Sequence, residues 1–179
     1  MKKALATLTV GAVLLSTAAF AQSAAEKTGV NSTLGIAPKT EDFIKEAALS
    51  DMTEIDASKI AEEKGNTDEK KFAQQMISDH TKTSSELKSI VPAEMKSALP
   101  TALDDASQKK VDKLRDPKPE DFAAQFDPMQ VSAHKDAVSL FERYAKGGDN
   151  PKLKDWAGKT LPALQHHLDM AQALDKNRK

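Results

Sequence analysis

Four stretches of the chain place apolar and small residues at the three- and four-residue spacing of a helix face, and each is bounded by turn or cap signals. A chain patterned this way buries its apolar side only by packing helix against helix. In the first stretch, Thr40 is the expected N-cap and Phe43, Ala47, Ser50, Glu54, Ala57 and Ala61 share a face that ends near Gly65-Asn66. Thr67 is the expected cap of the second, where Phe72, Ala73, Met76, His80, Thr83, Leu87 and Val91 form a stripe closed by Pro92. The third opens at Asp127-Pro128, a cap followed by a proline suited to the first helical position, and carries Val131, His134, Val138, Phe141 and Ala145 before Gly147-Gly148. Asn150-Pro151 repeats that start, and Leu153, Ala157, Leu161, Leu164, His167, Leu168, Ala171 and Leu174 line the fourth. Pro162 predicts a kink or local irregularity there. Aromatic residues make up only 4% of the chain and glycines number seven, which leaves little material for a sheet.

Between the second and third stretches, residues 92–127 hold prolines 92, 100, 117 and 119 and one short amphipathic segment at 107–114. This reads as a crossover containing a minor helix. Two helical hairpins joined in this way predict an all-α fold, a four-helix bundle with a crossover segment that contains a short helix. The bundle domain is expected over residues 40–175, after a flexible leader at 22–39 rich in small and polar residues and before a C-terminal tail at 176–179.

Residues 1–21 have the form of a secretory signal peptide. Lys2 and Lys3 supply the positive start, residues 4–18 are apolar, and Ala19-Phe20-Ala21 fits a small-x-small cleavage site. The apolar run is shorter than the roughly 20 residues a membrane helix needs, and nothing later resembles one. The expected product is a periplasmic or secreted soluble domain with no integral membrane segment. The chain has no cysteine, which excludes a lipid-anchored cysteine, disulfides, thiol catalysis and thiolate metal sites. The formal charge of −1 becomes about −3 once the two signal-segment lysines are removed. That balance gives no ground for a nucleic-acid or anionic-membrane partner.

No nucleophile motif and no glycine-rich phosphate loop is present, so hydrolase and nucleotide-binding functions find no support. Trp156, Tyr144, Phe122 and Phe126 read as packing groups, and the lysine-rich segment 108–118 as solvated surface. The histidines are different. Three of the four, His80, His134 and His167, fall on the apolar stripes of the second, third and fourth helices, and Glu54 falls on that of the first. At about 1.5 Å per residue, Glu54 and His80 stand roughly 15 and 18 Å from the first turn, and His134 and His167 roughly 18 and 24 Å from the second. The four side chains are thus expected to converge inside the bundle. Three imidazoles and a carboxylate suit one transition metal ion, zinc, iron or copper, better than calcium or magnesium. Asp51 and Gln130, each about one turn before a proposed ligand, are candidate supporting partners or plain flank residues. His166 points about 100° away from His167, so only one of them faces the core; His167 is the choice and His166 the substitute. Asp79, beside His80, is expected to be solvated. The competing reading is a structural or protein-interaction module of the cell envelope, in which hydrogen-bonded core histidines merely fix helix register.

The run from Phe72 through Asp79-His80-Thr81, the helix from Phe43 to Glu54, Phe126-Asp127, the His134 helix and the Leu161-Pro162-Ala163-Leu164-Gln165-His166-His167-Leu168 segment together resemble the bacterial exported proteins grouped as domain of unknown function 4142. The resemblance covers about residues 40–175. It implies a ferritin-like helical bundle, often described as an outer membrane or secreted protein, with no established activity. It also implies that histidines matching His80, His134 and His167 recur. One departure from true ferritins is informative: those di-iron proteins carry Glu-x-x-His pairs, whereas Ile77, Val131 and Leu164 stand three residues before the histidines here. A ferroxidase or iron-storage role is therefore not expected.

Overall fold

The structure, a computed structural model, describes residues 24–26 and 28–178, and the expected signal segment at 1–21 lies outside the described residues. The helices are α1 (Val30–Leu34), α2 (Thr40–Lys64), α3 (Thr67–Ile90), α4 (Asp105–Lys113), α5 (Ala123–Gly147) and α6 (Pro151–Asn177), with 3-10 turns at Ala93–Ala98 and Pro119–Asp121. Among the described residues there is no strand.

The expected hairpins form. α2 packs on α3 and α5 on α6, while α3 against α6 and α2 against α5 close the bundle. Two apolar clusters fill it. The first joins Phe43, Ile44, Ala47 and Ala48 of α2, Leu87 of α3, Ala137, Leu140, Phe141 and Tyr144 of α5, and Leu153, Trp156, Ala157 and Leu164 of α6. The second joins Ala57, Ile60 and Ala61, then Phe72, Ala73 and Met76, then Phe126 and Ala171, with Val111, Leu114 and Phe122 from the crossover. Reading each helix from one cluster to the other gives its direction. α2 and α6 run from the first cluster to the second, and α3 and α5 run back. Every neighbouring pair is antiparallel, and the single long connection of ferritin-like bundles is needed between α3 and α5. The crossover makes that journey along α2: Met95 and Leu99 pack on the first cluster, Leu103 and Val111 on the second.

The ends of the elements differ in detail from the sequence expectation. Asn66, rather than Thr67, caps α3: its side chain accepts from the Asp68 and Glu69 amides, and the Glu69 carboxylate accepts from the Asn66 amide, a complete capping box. Thr40 is inside α2, and its hydroxyl bonds instead to the Tyr144 hydroxyl and to Asp149. That contact ties the start of α2 to the end of α5, where Phe43 and Tyr144 stack with ring centroids 3.9 Å apart. Gly148 follows from the same packing, because a Cβ there would meet the Tyr144 carbonyl at 2.6 Å and its ring at 2.7 Å. The leader residues 28–39 include α1 and are held by Arg143 of α5, which donates to the Ile36 carbonyl and pairs with Glu26 at 2.6 Å. Pro162 does not break α6; the carbonyl it leaves without a helical donor belongs to Gly158, and both residues are exposed.

The largest displacement is at α5, which begins at Ala123, so Asp127 and Pro128 lie inside the helix. Pro128 cannot donate to the Ala124 carbonyl, and Arg178 Nη1 does so instead at 3.2 Å. Asp127, freed from capping, is buried, with one carboxylate oxygen lacking a partner among the described residues. Burial pushes its carboxyl up to about 7; the negative charge of Glu69 adds to the rise, Arg178 opposes it, and Asp175 adds a smaller push. Because the folded chain keeps a proton there that the unfolded chain has released, stability contributed by this group falls as pH rises from about 4 to about 7. Asp127→Asn, neutral at every pH, is expected to match the parent near pH 4 and to become increasingly more stable than it as pH rises to about 7. Urea unfolding across that range checks this, and equal slopes for the two proteins would contradict it.

Candidate metal centre

Between the two apolar clusters lies a layer of polar groups, one or two from each long helix. α2 supplies Asp51 and Glu54, α3 His80, α5 Gln130 and His134, and α6 His167, and all six are buried. Their positions follow from register. On each helix the layer sits between residues of the first and second clusters, so packing both clusters fixes its height.

The three histidines meet. Ring centroids are 5.8 Å apart for His80 and His134, 5.4 Å for His80 and His167, and 5.6 Å for His134 and His167. One ring nitrogen from each lies within 4.8 Å of the other two. Glu54 is not part of that mutually close set, although its charge acts on both His80 and His134. Both of its carboxylate oxygens are buried without a hydrogen-bond partner among the described residues. Of the adjacent pair on α6, His167 is the buried one and His166 is exposed.

Each ring is held from outside by an acceptor. His80 Nδ1 donates to Asp51 Oδ1 at 2.8 Å, and Asp51 also accepts from Thr83 at 3.0 Å and Ser84 at 3.2 Å. His134 Nδ1 donates to the Gln130 backbone carbonyl at 2.9 Å. His167 Nε2 donates to Asp79 Oδ2 at 2.8 Å. Since a carboxylate or carbonyl can only accept, these bonds place a proton on the outward nitrogen. His80 Nε2, His134 Nε2 and His167 Nδ1 are left buried and unpartnered among the described residues, with lone pairs available in the neutral rings. Outward carboxylate or carbonyl, imidazole, inward lone pair is the arrangement that orients metal-binding histidines.

Electrostatics separate the three rings. Burial pulls His167 down to about 4; the Asp79 hydrogen bond opposes this and the neighbouring histidines add to it. Burial likewise lowers His134, against Glu54 and the Gln130 carbonyl. His80 moves the other way: burial lowers it, but the Asp51 hydrogen bond and charge, with Glu54 behind them, leave it raised. Two rings are thus ready to donate lone pairs at neutral pH, and the third competes between a metal and a proton.

All four candidate residues lie on inward faces, and Asp51 and Gln130 are the supporting partners that their spacing allowed, whereas Asp79 differs from expectation. Asp79, expected to be solvated, is only partly exposed and holds His167. Its role needed the knowledge that α3 and α6 are neighbours. Gln130 acts through its backbone, which side-chain patterning does not address, and its amide is itself fully buried.

In the metal-free protein at pH 6, the His167 ring is expected to be neutral with its proton on Nε2. Nitrogen-detected histidine NMR resolves this, and a doubly protonated His167 at that pH would contradict the assigned hydrogen bonding.

No curated protein and no solved structure matches the chain significantly. A family described as domain of unknown function (DUF4142) matches residues 25–174, most of the sequence and all of the polar layer. The chain belongs to that family.

Proposed function

We propose that the bundle binds one transition metal ion, zinc, iron or copper, through His80, His134 and His167, with Glu54 as the carboxylate that completes or closes off the set. The observation that carries this reading is the convergence of three unpartnered ring nitrogens whose opposite nitrogens are each bonded to an acceptor. Even at the full 4.8 Å separation, a point central to the three nitrogens is only ~2.8 Å from each, so shifts under ~1 Å give zinc–imidazole bonds of about 2.0–2.1 Å. The donor set also favours such ions, because imidazole suits late first-row metals and calcium or magnesium would want more oxygen. Among the described residues no helix is long and apolar enough to cross a membrane. The signal-like first 21 residues support export, and a metal-binding bundle in the cell envelope would have a part in metal handling or stress tolerance.

A second reading keeps the same layer without a metal. The raised His80 favours it: a proton on that ring, facing Glu54 and held by Asp51, would satisfy part of the layer in a structural or protein-interaction module.

Cobalt(II), a spectroscopic stand-in for zinc, separates the two. Titration is expected to saturate near one equivalent with visible bands of low-coordinate cobalt, and His134→Gln or His80→Gln should abolish them. Zinc at about 100 times its dissociation constant should raise the melting temperature by about 5–10 °C. Absence of bands and unchanged melting with zinc, copper and ferrous iron would favour the proton-held module.

A further inference from the structure

We infer that the cavity between α2 and α5 is the route by which a divalent cation reaches the three histidines, with Glu54 as the carboxylate that passes it inward. The inference rests on the metal reading above and adds how the site is filled.

The cavity has a volume of about 550 Å³, and Glu54 lines it together with Glu46, Ser50, Thr53 and Asp136. Glu46, Ser50 and Glu54 recur every four residues on one face of α2, so they form a ladder of oxygen ligands about 12 Å long. Exposure differs among the lining carboxylates: Asp136 is exposed, Glu46 is partly buried, and Glu54 is 2% exposed. Glu54 is the independent sign that the ladder leads somewhere. It is a deeply buried carboxylate on the cavity lining, both of its oxygens lack partners among the described residues, and its charge reaches His80 and His134. A cation in transit is the kind of species that such a carboxylate would receive.

The charge of the lining agrees. Arg143 also faces the cavity but is paired with Glu26 at 2.6 Å, and Lys110 and Lys113 come from the exposed face of α4. Among the described residues, the other charges on the lining are the carboxylates of Glu46, Glu54 and Asp136. Burial raises the Glu46 carboxyl, and Asp104, Glu26 and Asp42 add to the rise against the opposing Lys45, as expected where negative charge is crowded. Carboxylates along a cleft raise the local concentration of cations and accelerate their capture. Oxygen ligands followed by imidazoles also give a borderline metal a downhill path, from weaker to stronger donors. The opposite groove, between α3 and α6, is a natural comparison. It reaches Asp79, which is already engaged with His167, and its lining balances Asp79, Glu86 and Asp155 against Lys82, Lys152 and Lys159.

Stopped-flow loading of the full chain with cobalt(II), followed through its visible bands, tests the route. Glu46→Gln and Asp136→Asn should each slow association about 3- to 10-fold at low salt, with equilibrium affinity held within twofold and the difference shrinking as salt rises. Ser50→Phe, which narrows the passage without changing charge, should slow loading at every salt concentration. Asp155→Asn in the opposite groove should load at the parent rate. Glu54→Gln should slow association itself; faster release with unchanged association would make Glu54 a static ligand and overturn its transfer role. Parent-like association in Glu46→Gln, Asp136→Asn and Ser50→Phe together, or slowed loading in Asp155→Asn, would overturn the route while leaving the metal site standing. Failure of the unmodified protein to bind cobalt would instead remove the metal reading, and this inference with it.

Discussion

Three imidazole nitrogens and a carboxylate, all buried and all without partners among the described residues, occupy one layer of an otherwise apolar bundle. Leaving a buried polar group unsatisfied costs about 1–3 kcal/mol, and more if it is charged, so such a layer is not a neutral filler. Hydrophobic side chains at the same positions would give a simpler and more stable core. The layer divides that core into two apolar clusters, and each long helix crosses it once. Register in all four helices is consequently fixed by two apolar clusters and one polar layer between them.

What distinguishes this layer from ordinary hydrogen-bonded core histidines is its polarity. Core histidines that serve only packing use both ring nitrogens where they can. Here the outward nitrogens are satisfied and the inward ones are not, on three separate helices. The supports differ in kind: Asp51 is a buried carboxylate reinforced by Thr83 and Ser84, Gln130 contributes only its backbone carbonyl, and Asp79 is partly open to solvent. That difference explains why His80 retains a proton more readily than His134 and His167. It also means that acid should disrupt the centre first through His80, by placing a proton where a metal would otherwise bind.

The bundle was legible in the sequence because helix periodicity, turn pairs and proline positions are local signals. The inward faces of Glu54, His80, His134 and His167 followed from the same periodicity. Element ends were less legible. Asp127-Pro128 has the form of a helix start, yet the chain is already helical from Ala123, because Phe122 and Phe126 bury into the second cluster and Arg178 serves the carbonyl that Pro128 cannot. Partners that depend on which helices are neighbours were not legible at all. Asp79 reaches His167 only because α3 lies against α6, and Arg143 finds Glu26 across 117 residues of chain.

If the inward nitrogens hold a metal, the protein retains it through purification. The protein, purified from its native compartment without chelators or a histidine tag, should carry close to one equivalent of a single transition metal, lost when His134 is replaced. A parent protein free of metal, and unable to take up zinc, copper or iron on reconstitution, would contradict the account.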